Sequence, residues 1–218
     1  MKERKEEYWS KFARSFEADQ EYIVGKGNVL ALVRRLQEER DLKDVIEFGC
    51  GTGRFTKAIA RNAKRIVATD LSDEMLEVAK VRLSRFPNVT VQKADCCRTS
   101  FPSARFDTAF MVNLIHVIEN PSDALAESYR ILRNGRRLLV ASGTNCGAKE
   151  SNVRGRVTRW LERFGMPPSG FQSNLSPDQL ASLAEGAGFR VDEVQLIKSW
   201  LYLNATKSAS GNPGAPKS

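Results

Sequence analysis

The sequence is poor in the residues that build metal centres and disulfide frameworks. It contains a single histidine, His116, and four cysteines, Cys50, Cys96, Cys97 and Cys146. Two of these cysteines are adjacent and none belongs to a CxxC pair, so neither a zinc site nor a disulfide framework is indicated. We therefore expect no metal site and a chain suited to a reducing compartment.

Long apolar runs are also missing. No uncharged stretch reaches the roughly 18 apolar residues that indicate a membrane span. The segment MKERKEEYWSKF at the start of the chain is charged from its second residue and has no apolar signal core. These absences predict a cytoplasmic protein without a transmembrane segment.

Acidic residues are fewer than basic ones, and the net charge is +8. Such an excess raises the question of a nucleic acid or an anionic surface as the partner. The basic residues are nevertheless spread along the chain, with their densest cluster between Lys149 and Arg163. We interpret this cluster as a solvated helix face and do not expect a nucleic-acid partner.

Strand patterns alternate with helical patterns from residue 27 to residue 206. The predicted strands are 44–49, 65–70, 88–95, 106–115 and 136–143, and the predicted helices are 27–40, 54–63, 72–86, 121–132 and 176–187. This alternation predicts an α/β fold with a parallel sheet that helices cover on both faces. Two further β-segments follow residue 188 too closely for a helix between them, so we expect them to pair antiparallel.

Three glycines occupy every second position directly after the first predicted strand, in VIEFGCGTGRF. The pattern E-x-G-x-G-x-G begins at Glu47 and contains Gly49, Gly51 and Gly53. Ligands of open α/β sheets bind beyond the carboxyl ends of the strands, and glycine lets a ligand touch the backbone. A dinucleotide loop would have a further glycine where Arg54 stands, and no GxxxxGK[ST] motif occurs. The loop therefore predicts a ligand smaller than a dinucleotide.

Acidic residues also end the second and third predicted strands. Asp70 ends IVATD, where a carboxylate can accept hydrogen bonds from both hydroxyls of a ribose. Asp95 ends VQKAD, where it can meet the edge of an adenine together with the N–H of Cys96. Leu71 and Met75 can pack against the adenine face, so these residues supply further walls for the same ligand.

Three stretches together resemble the class I S-adenosylmethionine-dependent methyltransferases. VIEFGCGTGRFTKAIA resembles their first motif, VATDLSDEMLEVAK their second motif with its ribose-binding acid, and FDTAFMVNLIHVIENPSDALAESYRILRNGRRLLVAS their fourth-strand and fifth-strand block. The resemblance covers roughly residues 40–206. It is strongest to the broad small-molecule group, methyltransferase type 11, that includes the ubiquinone-biosynthesis-type enzymes.

The resemblance implies a Rossmann-like, doubly wound seven-stranded sheet, mostly parallel with the last strand antiparallel. It implies S-adenosyl-L-methionine as cofactor and S-adenosyl-L-homocysteine as product. By the family pattern, the glycine loop approaches the methionine portion of the cofactor and Asn113 faces the sulfonium. The residues that we assign to the cofactor site are Glu47, Gly49, Cys50, Gly51, Gly53, Asp70, Leu71, Met75, Asp95, Cys96 and Asn113. The chain departs from the family at Asn134-Gly135-Arg136, where Pro-Gly-Gly is common.

Few residues offer themselves for chemistry beyond cofactor binding. His116 follows the fourth predicted strand, where it is a candidate catalytic base, a residue that orients the substrate, or only a packing residue. The adjacent Cys96 and Cys97 suggest a thiophilic substrate such as arsenite, but a buried, inert role is commoner for cysteine.

Two regions outside the common core are expected to set specificity. We predict that residues 1–40 form a helical segment that docks on the sheet and partly closes over the cofactor as a lid. An insert at about 143–175 in the core of 41–207 has an apolar stripe that caps the acceptor pocket or, alternatively, contacts an anionic membrane. The predicted pocket walls are Trp160, Phe164, Met166 and Phe171. The tail, 208–218, is predicted to be disordered.

The leading hypothesis is a methyltransferase for a small-molecule acceptor. An RNA or protein methyltransferase is the alternative among enzymes, although the fourth strand ends in NLIH rather than the Asn/Asp-Pro-Pro-Tyr of base-amino methyltransferases. A non-catalytic S-adenosylmethionine-binding protein is the alternative from another class. The sequence leaves open the acceptor atom and the choice between a monomer and a homodimer.

Overall fold

A single seven-stranded sheet organises the chain, which a computed structural model describes over residues 5–146, 150–166 and 175–208. Its strands are β1 (Asp44–Phe48), β2 (Arg65–Asp70), β3 (Val89–Lys93), β4 (Phe106–Val112), β5 (Leu132–Gly143), β6 (Phe189–Ile197) and β7 (Trp200–Lys207). Their order in the sheet is β3-β2-β1-β4-β5-β7-β6. β7 pairs antiparallel with both β5 and β6, and the other pairs are parallel. The predicted fold class and its antiparallel last strand are confirmed.

Helices cover both faces of this sheet. They are α1 (Lys5–Ser10), α2 (Phe16–Val24), α3 (Lys26–Gln37), α4 (Arg54–Ile59), α5 (Asp73–Leu83), α6 (Pro121–Ile131), α7 (Glu150–Phe164) and α8 (Pro177–Gly186). Successive residues of β4 point to opposite faces, so Phe110 packs with α3, α4 and α5 while Met111 packs with α6 and α8. The central strands β1 and β4 are therefore buried on both sides, as in a doubly wound sheet. No helix in the described ranges is long and apolar enough to cross a membrane.

The N-terminal helices pack against α7 through aromatic rings. Phe12 and Phe164 meet edge to face at 4.7 Å between ring centroids, and Trp9 meets Trp160 at 5.9 Å. The hydroxyl of Tyr8 donates to the carbonyl of Phe164 at 2.7 Å, at the carboxyl end of α7. The N-terminal segment therefore covers Trp160 and Phe164 of the apolar stripe predicted for the insert.

Local signals placed the helix starts within one residue, but the predicted ends of α3, α4 and α5 lie three, four and three residues beyond the observed ones. The predicted capping box at Ser176 and Gln179 is present, and Ser72 caps α5 by accepting from the N–H of Met75 at 3.1 Å. Asn120, expected as a cap, makes no side-chain capping bond to α6. β5 begins at Leu132, four residues before its predicted start, because Leu132 pairs with Phe106 ahead of a register shift. The predicted tail lies outside the described residues from residue 209 onward.

Candidate active site

A cavity opens at the carboxyl ends of β1, β2, β3 and β4, with α1 and α2 over it. Its described lining comprises Trp9, Phe16, Glu17, Gln20, Gly49, Cys50, Gly51, Thr52, Arg54, Phe55, Asp70, Leu71, Ser72, Met75, Ala94, Cys96, Val112, Asn113, Leu114, Val117 and Ile118. Eight of the eleven residues predicted for the cofactor lie in this lining. Glu47, Gly53 and Asp95 do not.

The three glycines of the loop have different neighbours. All have positive φ, and a Cβ on Gly49 would lie 2.9 Å from Leu114, while one on Gly53 would lie 2.8 Å from Leu83. A Cβ on Gly51 would only touch Phe16 at 3.5 Å. Gly53 therefore lets α4 pack against α5, and the prediction that it approaches the ligand finds no support in its position.

Asp70 joins the loop to the end of β2. Its carboxylate accepts the N–H of Gly51 at 2.8 Å and the N–H of Ser72 at 3.0 Å. Each carboxylate oxygen has a second lone pair, so both can still accept a ligand hydroxyl. Burial raises the pKa of Asp70, and the backbone N–H donors oppose that rise. The residue is thus placed both to shape the loop and to hold a diol.

Glu47 lies behind the loop rather than in the cavity wall. The side chain is buried, and its Oε2 has no hydrogen-bond partner among the described residues. Burial raises its pKa to about 8, so the carboxyl is largely protonated at neutral pH. Glu47 lies in β1, directly before the glycine loop. Its contact with the cofactor remains a prediction.

We expect Glu47→Gln to stabilise the protein more at pH 8 than at pH 5. The folded-state pKa of about 8 lies above the ordinary value of 4.5. Between these two pH values the carboxyl is protonated in the folded chain and ionised in the unfolded chain, so folding takes up a proton. Wild-type stability therefore falls over that window, whereas glutamine does not titrate. Thermal unfolding at both pH values should show a relative gain of about 3–4 kcal/mol at pH 8. An equal effect at the two pH values would contradict the buried, protonated state of Glu47.

The ends of β2 and β3 form an apolar recess. Leu71, Met75, Ala94 and Cys96 line it, consistent with the predicted adenine face. Asp95 is exposed, and its Oδ1 accepts the N–H of Cys97 at 2.9 Å. The prediction that its carboxylate meets the adenine edge is therefore not supported by its position, because the side chain turns back on its own loop.

The two adjacent cysteines lie close together beside this recess. Their sulfurs are 3.9 Å apart, and both thiols and the carboxylate of Asp95 lie within 4.8 Å of one another. The hydrogen bond with Cys97 and burial raise the pKa of the Cys96 thiol far above its ordinary value. A protonated thiol is a poor nucleophile and metal ligand, so the raised pKa favours the inert role for Cys96.

The end of β4 positions Asn113 and His116 differently. Asn113 has a positive φ of 55° and lines the cavity, and its Oδ1 accepts the N–H of Gly143 at 3.0 Å. His116 is hydrogen-bonded through Nδ1 to Ser142 at 3.0 Å and is not among the described lining residues. Burial lowers its pKa to about 4, so the imidazole is neutral at physiological pH and only a weak base.

We expect His116→Ala to retain kcat within about threefold from pH 6 to pH 9. The imidazole neither lines the cavity nor titrates in this range, whereas removing a general base costs about 100-fold or more. Ser142→Ala, which removes its hydrogen-bond partner, serves as the matched control. A drop of 100-fold with a changed pH profile would reinstate His116 as a base.

Ion pairs hold α2 over the glycine loop. Arg54 donates through Nη2 to Oε2 of Glu17 and to Oε1 of Glu21, each at 3.0 Å. Glu17 also accepts from Thr52 at 3.1 Å and from Arg82 of α5. Sequence reasoning missed these charges, since nothing in the sequence of α2 shows that its acids meet the loop.

The predicted substrate walls lie elsewhere. Trp160 and Phe164 pack on the N-terminal aromatics and are not among the described lining residues, and Met166 is 64% exposed. Phe171 lies outside the described residues. Their assignment to the acceptor pocket stays a prediction, and among the described residues Trp9 and Phe16 of the N-terminal segment line the cavity.

Comparison with known proteins agrees with this architecture. The model of a methyltransferase domain matches residues 46–140. Demethylmenaquinone methyltransferase of Tropheryma whipplei is 33% identical over 98 residues, which are 45% of this chain and 41% of the relative. O-methyltransferase cnsE of Penicillium expansum is 31% identical over 160 residues, which are 71% of this chain and 54% of the relative. The chain thus spans about half the length of these relatives.

A solved structure extends the likeness to the whole fold. An S-adenosylmethionine-dependent methyltransferase of Thermotoga maritima superposes with a TM-score of 0.70 at 22% identity, covering 92% of this chain and 99% of that one. Residues 46–140 therefore match a methyltransferase domain, and the described fold is that of a solved S-adenosylmethionine-dependent methyltransferase.

Proposed function

We propose that this protein transfers the methyl group of S-adenosyl-L-methionine to a small-molecule acceptor in the cytoplasm. The observation that carries the proposal is the cavity at the ends of β1 to β4, in which the loop 49–52, Asp70 and the recess of Leu71 and Cys96 follow one another. That order matches the methionine, ribose and adenine portions of the cofactor.

The residues present fit the cofactor by their chemistry. Gly51 has no side chain to fill the space over the loop, and the ionisable Asp70 can hold a diol. The bound sulfonium supplies an electrophilic methyl group. Methyl transfer then needs mainly in-line placement of the acceptor and exclusion of water.

The described walls supply placement and exclusion rather than acid–base chemistry. Trp9, Phe16, Leu114, Val117 and Ile118 provide apolar surface in the lining of the cavity. Such walls suit an apolar or aromatic acceptor that carries one nucleophilic atom. The two relatives named above, for demethylmenaquinone and for an oxygen acceptor, support an acceptor of this kind.

The positive charge gives little support to a nucleic-acid substrate. Arg156 donates to the carbonyl of Thr144 at 2.9 Å, and Arg159 donates to the carbonyl of Ile23 at 3.3 Å. Arg163 pairs with Asp19 at 3.4 Å. These arginines of the basic cluster are engaged in joining α7 to its neighbours.

A methyl-transfer screen tests the proposal. The protein is incubated with cofactor labelled in its methyl group and with quinols, phenols, thiols and amines in separate reactions. We expect label in an organic-extractable product with at least one apolar acceptor, and none with RNA or protein. Label transferred only to RNA or to protein would overturn the small-molecule assignment.

A further inference from the structure

The guanidinium of Arg54 has one end held and one end free. Its Nη2 donates to two carboxylates of α2, those of Glu17 and Glu21. Its Nη1 is buried and has no hydrogen-bond partner among the described residues, although Arg54 lines the cavity. The side chain is only 15% exposed, so water gives this nitrogen little compensation.

A buried donor without a partner is costly, about 1–3 kcal/mol, and a charged one costs more. Native structures tolerate such a group mainly where a ligand or an ordered water satisfies it. The guanidinium fork favours one kind of ligand, because its planar N–H groups match the oxygens of a carboxylate. The missing partner of Nη1 therefore indicates that the cavity binds an anionic, carboxylate-like group.

The position of Arg54 identifies the part of the cavity concerned. The strand order β3-β2-β1-β4 puts the adenine recess and Asp70 beside β3 and β2, and the glycine loop beyond β1. Arg54 is the first residue of α4, two positions after Thr52, and both residues line the cavity. It therefore lies at the end of the cavity that the proposed function assigns to the methionine portion, where the cofactor carries its only carboxylate.

We infer that Arg54 binds the carboxylate of the cofactor's amino-acid portion, with Glu17 and Glu21 as positioning residues that fix its guanidinium. The inference rests on the proposed function. It also assigns a purpose to the ion pairs of α2, because the carboxylates that accept from Nη2 fix the guanidinium and leave Nη1 for the ligand.

Arg82 provides the matched control. It donates to the same Glu17 and, at 2.8 Å, to the carbonyl of Thr52, yet it is not among the described residues that line the cavity. Replacing either arginine removes ion pairs with the carboxylates of α2. Only the loss of Arg54 should remove a contact with the ligand.

The test measures the binding of two ligands to the full chain by calorimetry. One is S-adenosylhomocysteine, and the other is its decarboxylated analogue, in which hydrogen replaces the carboxylate. We expect the wild type to prefer S-adenosylhomocysteine by about 10- to 100-fold, as a charge-assisted hydrogen bond predicts. Arg54→Met should bind both ligands about equally, and Arg82→Met should keep the wild-type preference.

Each other outcome has a separate meaning. A wild type that binds neither ligand would overturn the proposed function itself. A wild type without preference, or an Arg54→Met variant that keeps the preference, would overturn the inference alone. If Arg54→Met does not unfold cooperatively on heating, Arg54→Lys replaces it, because lysine keeps the charge without the fork and should reduce the preference.

Discussion

Asp70→Ala is expected to lower the affinity for S-adenosylhomocysteine by at least about 100-fold. Two effects add: the ligand diol loses its acceptors, and the N–H groups of Gly51 and Ser72 lose the carboxylate that holds them. Each hydrogen bond to a charged group contributes about 1.5–3 kcal/mol, so two such bonds account for the loss. Calorimetric titration of the purified variant measures it.

The matched control for this variant is Asp73→Ala. Asp73 lies three residues further along the chain and pairs on the surface with Lys93 at 2.7 Å. Exposed pairs contribute little, so its removal should leave the affinity within about twofold. Equal losses in the two variants would mean that Asp70 acts through general destabilisation and not at the ligand.

Gly51→Ala is expected to abolish most cofactor binding while costing only about 1 kcal/mol of folding free energy. The strain comes from placing a Cβ at a φ of 52°, and the new methyl group meets Phe16 at an ordinary contact distance of 3.5 Å. The same methyl group reduces the space over the loop, where the methionine portion is proposed to lie. We expect the affinity for S-adenosylhomocysteine to fall by about 30-fold or more, or roughly 2 kcal/mol.

Gly135→Ala separates backbone strain from ligand contact. Gly135 has a φ of 70° and open space around it, in a turn within β5 far along the chain from the loop. Thermal unfolding should show a similar cost for the two alanine variants, while binding falls only in Gly51→Ala. If both variants bind like the wild type, the loop does not face the ligand.

The sequence predicted what depends on local pattern. Periodicity and capping signals located the strands and the helix starts, since these follow from residues close in the chain. The loop after β1 and Asp70 after β2 could be brought together because parallel strands end at one edge of the sheet. To apply that rule, one needs to know the order of the strands and helices along the chain but not how their side chains pack.

The sequence could not show how distant segments compete for the same space. Gly53 looked like a ligand contact, but its φ and bare Cα serve the approach of Leu83 from α5. Trp160 and Phe164 looked like pocket walls, but the N-terminal aromatics cover them. The hydrophobic pattern of α7 shows that this face is buried and cannot show which segment buries it.

The ion pairs around Arg54 illustrate the same limit. Position 54 was informative in the sequence only as a missing glycine of a dinucleotide loop. Its contacts with Glu17 and Glu21 join residues more than 30 positions apart and depend on how α2 crosses the loop. Such long-range charge contacts leave no periodic signal in a single sequence.

Binding of S-adenosylhomocysteine to the wild-type chain tests the central claim most directly. Titration calorimetry on the purified protein should show one ligand bound per chain, with adenosine binding more weakly because it lacks the portion assigned to the glycine loop and Arg54. Saturating ligand should also raise the melting temperature. A chain that unfolds cooperatively yet shows neither heat of binding nor a shift in melting temperature would contradict the proposed cofactor site.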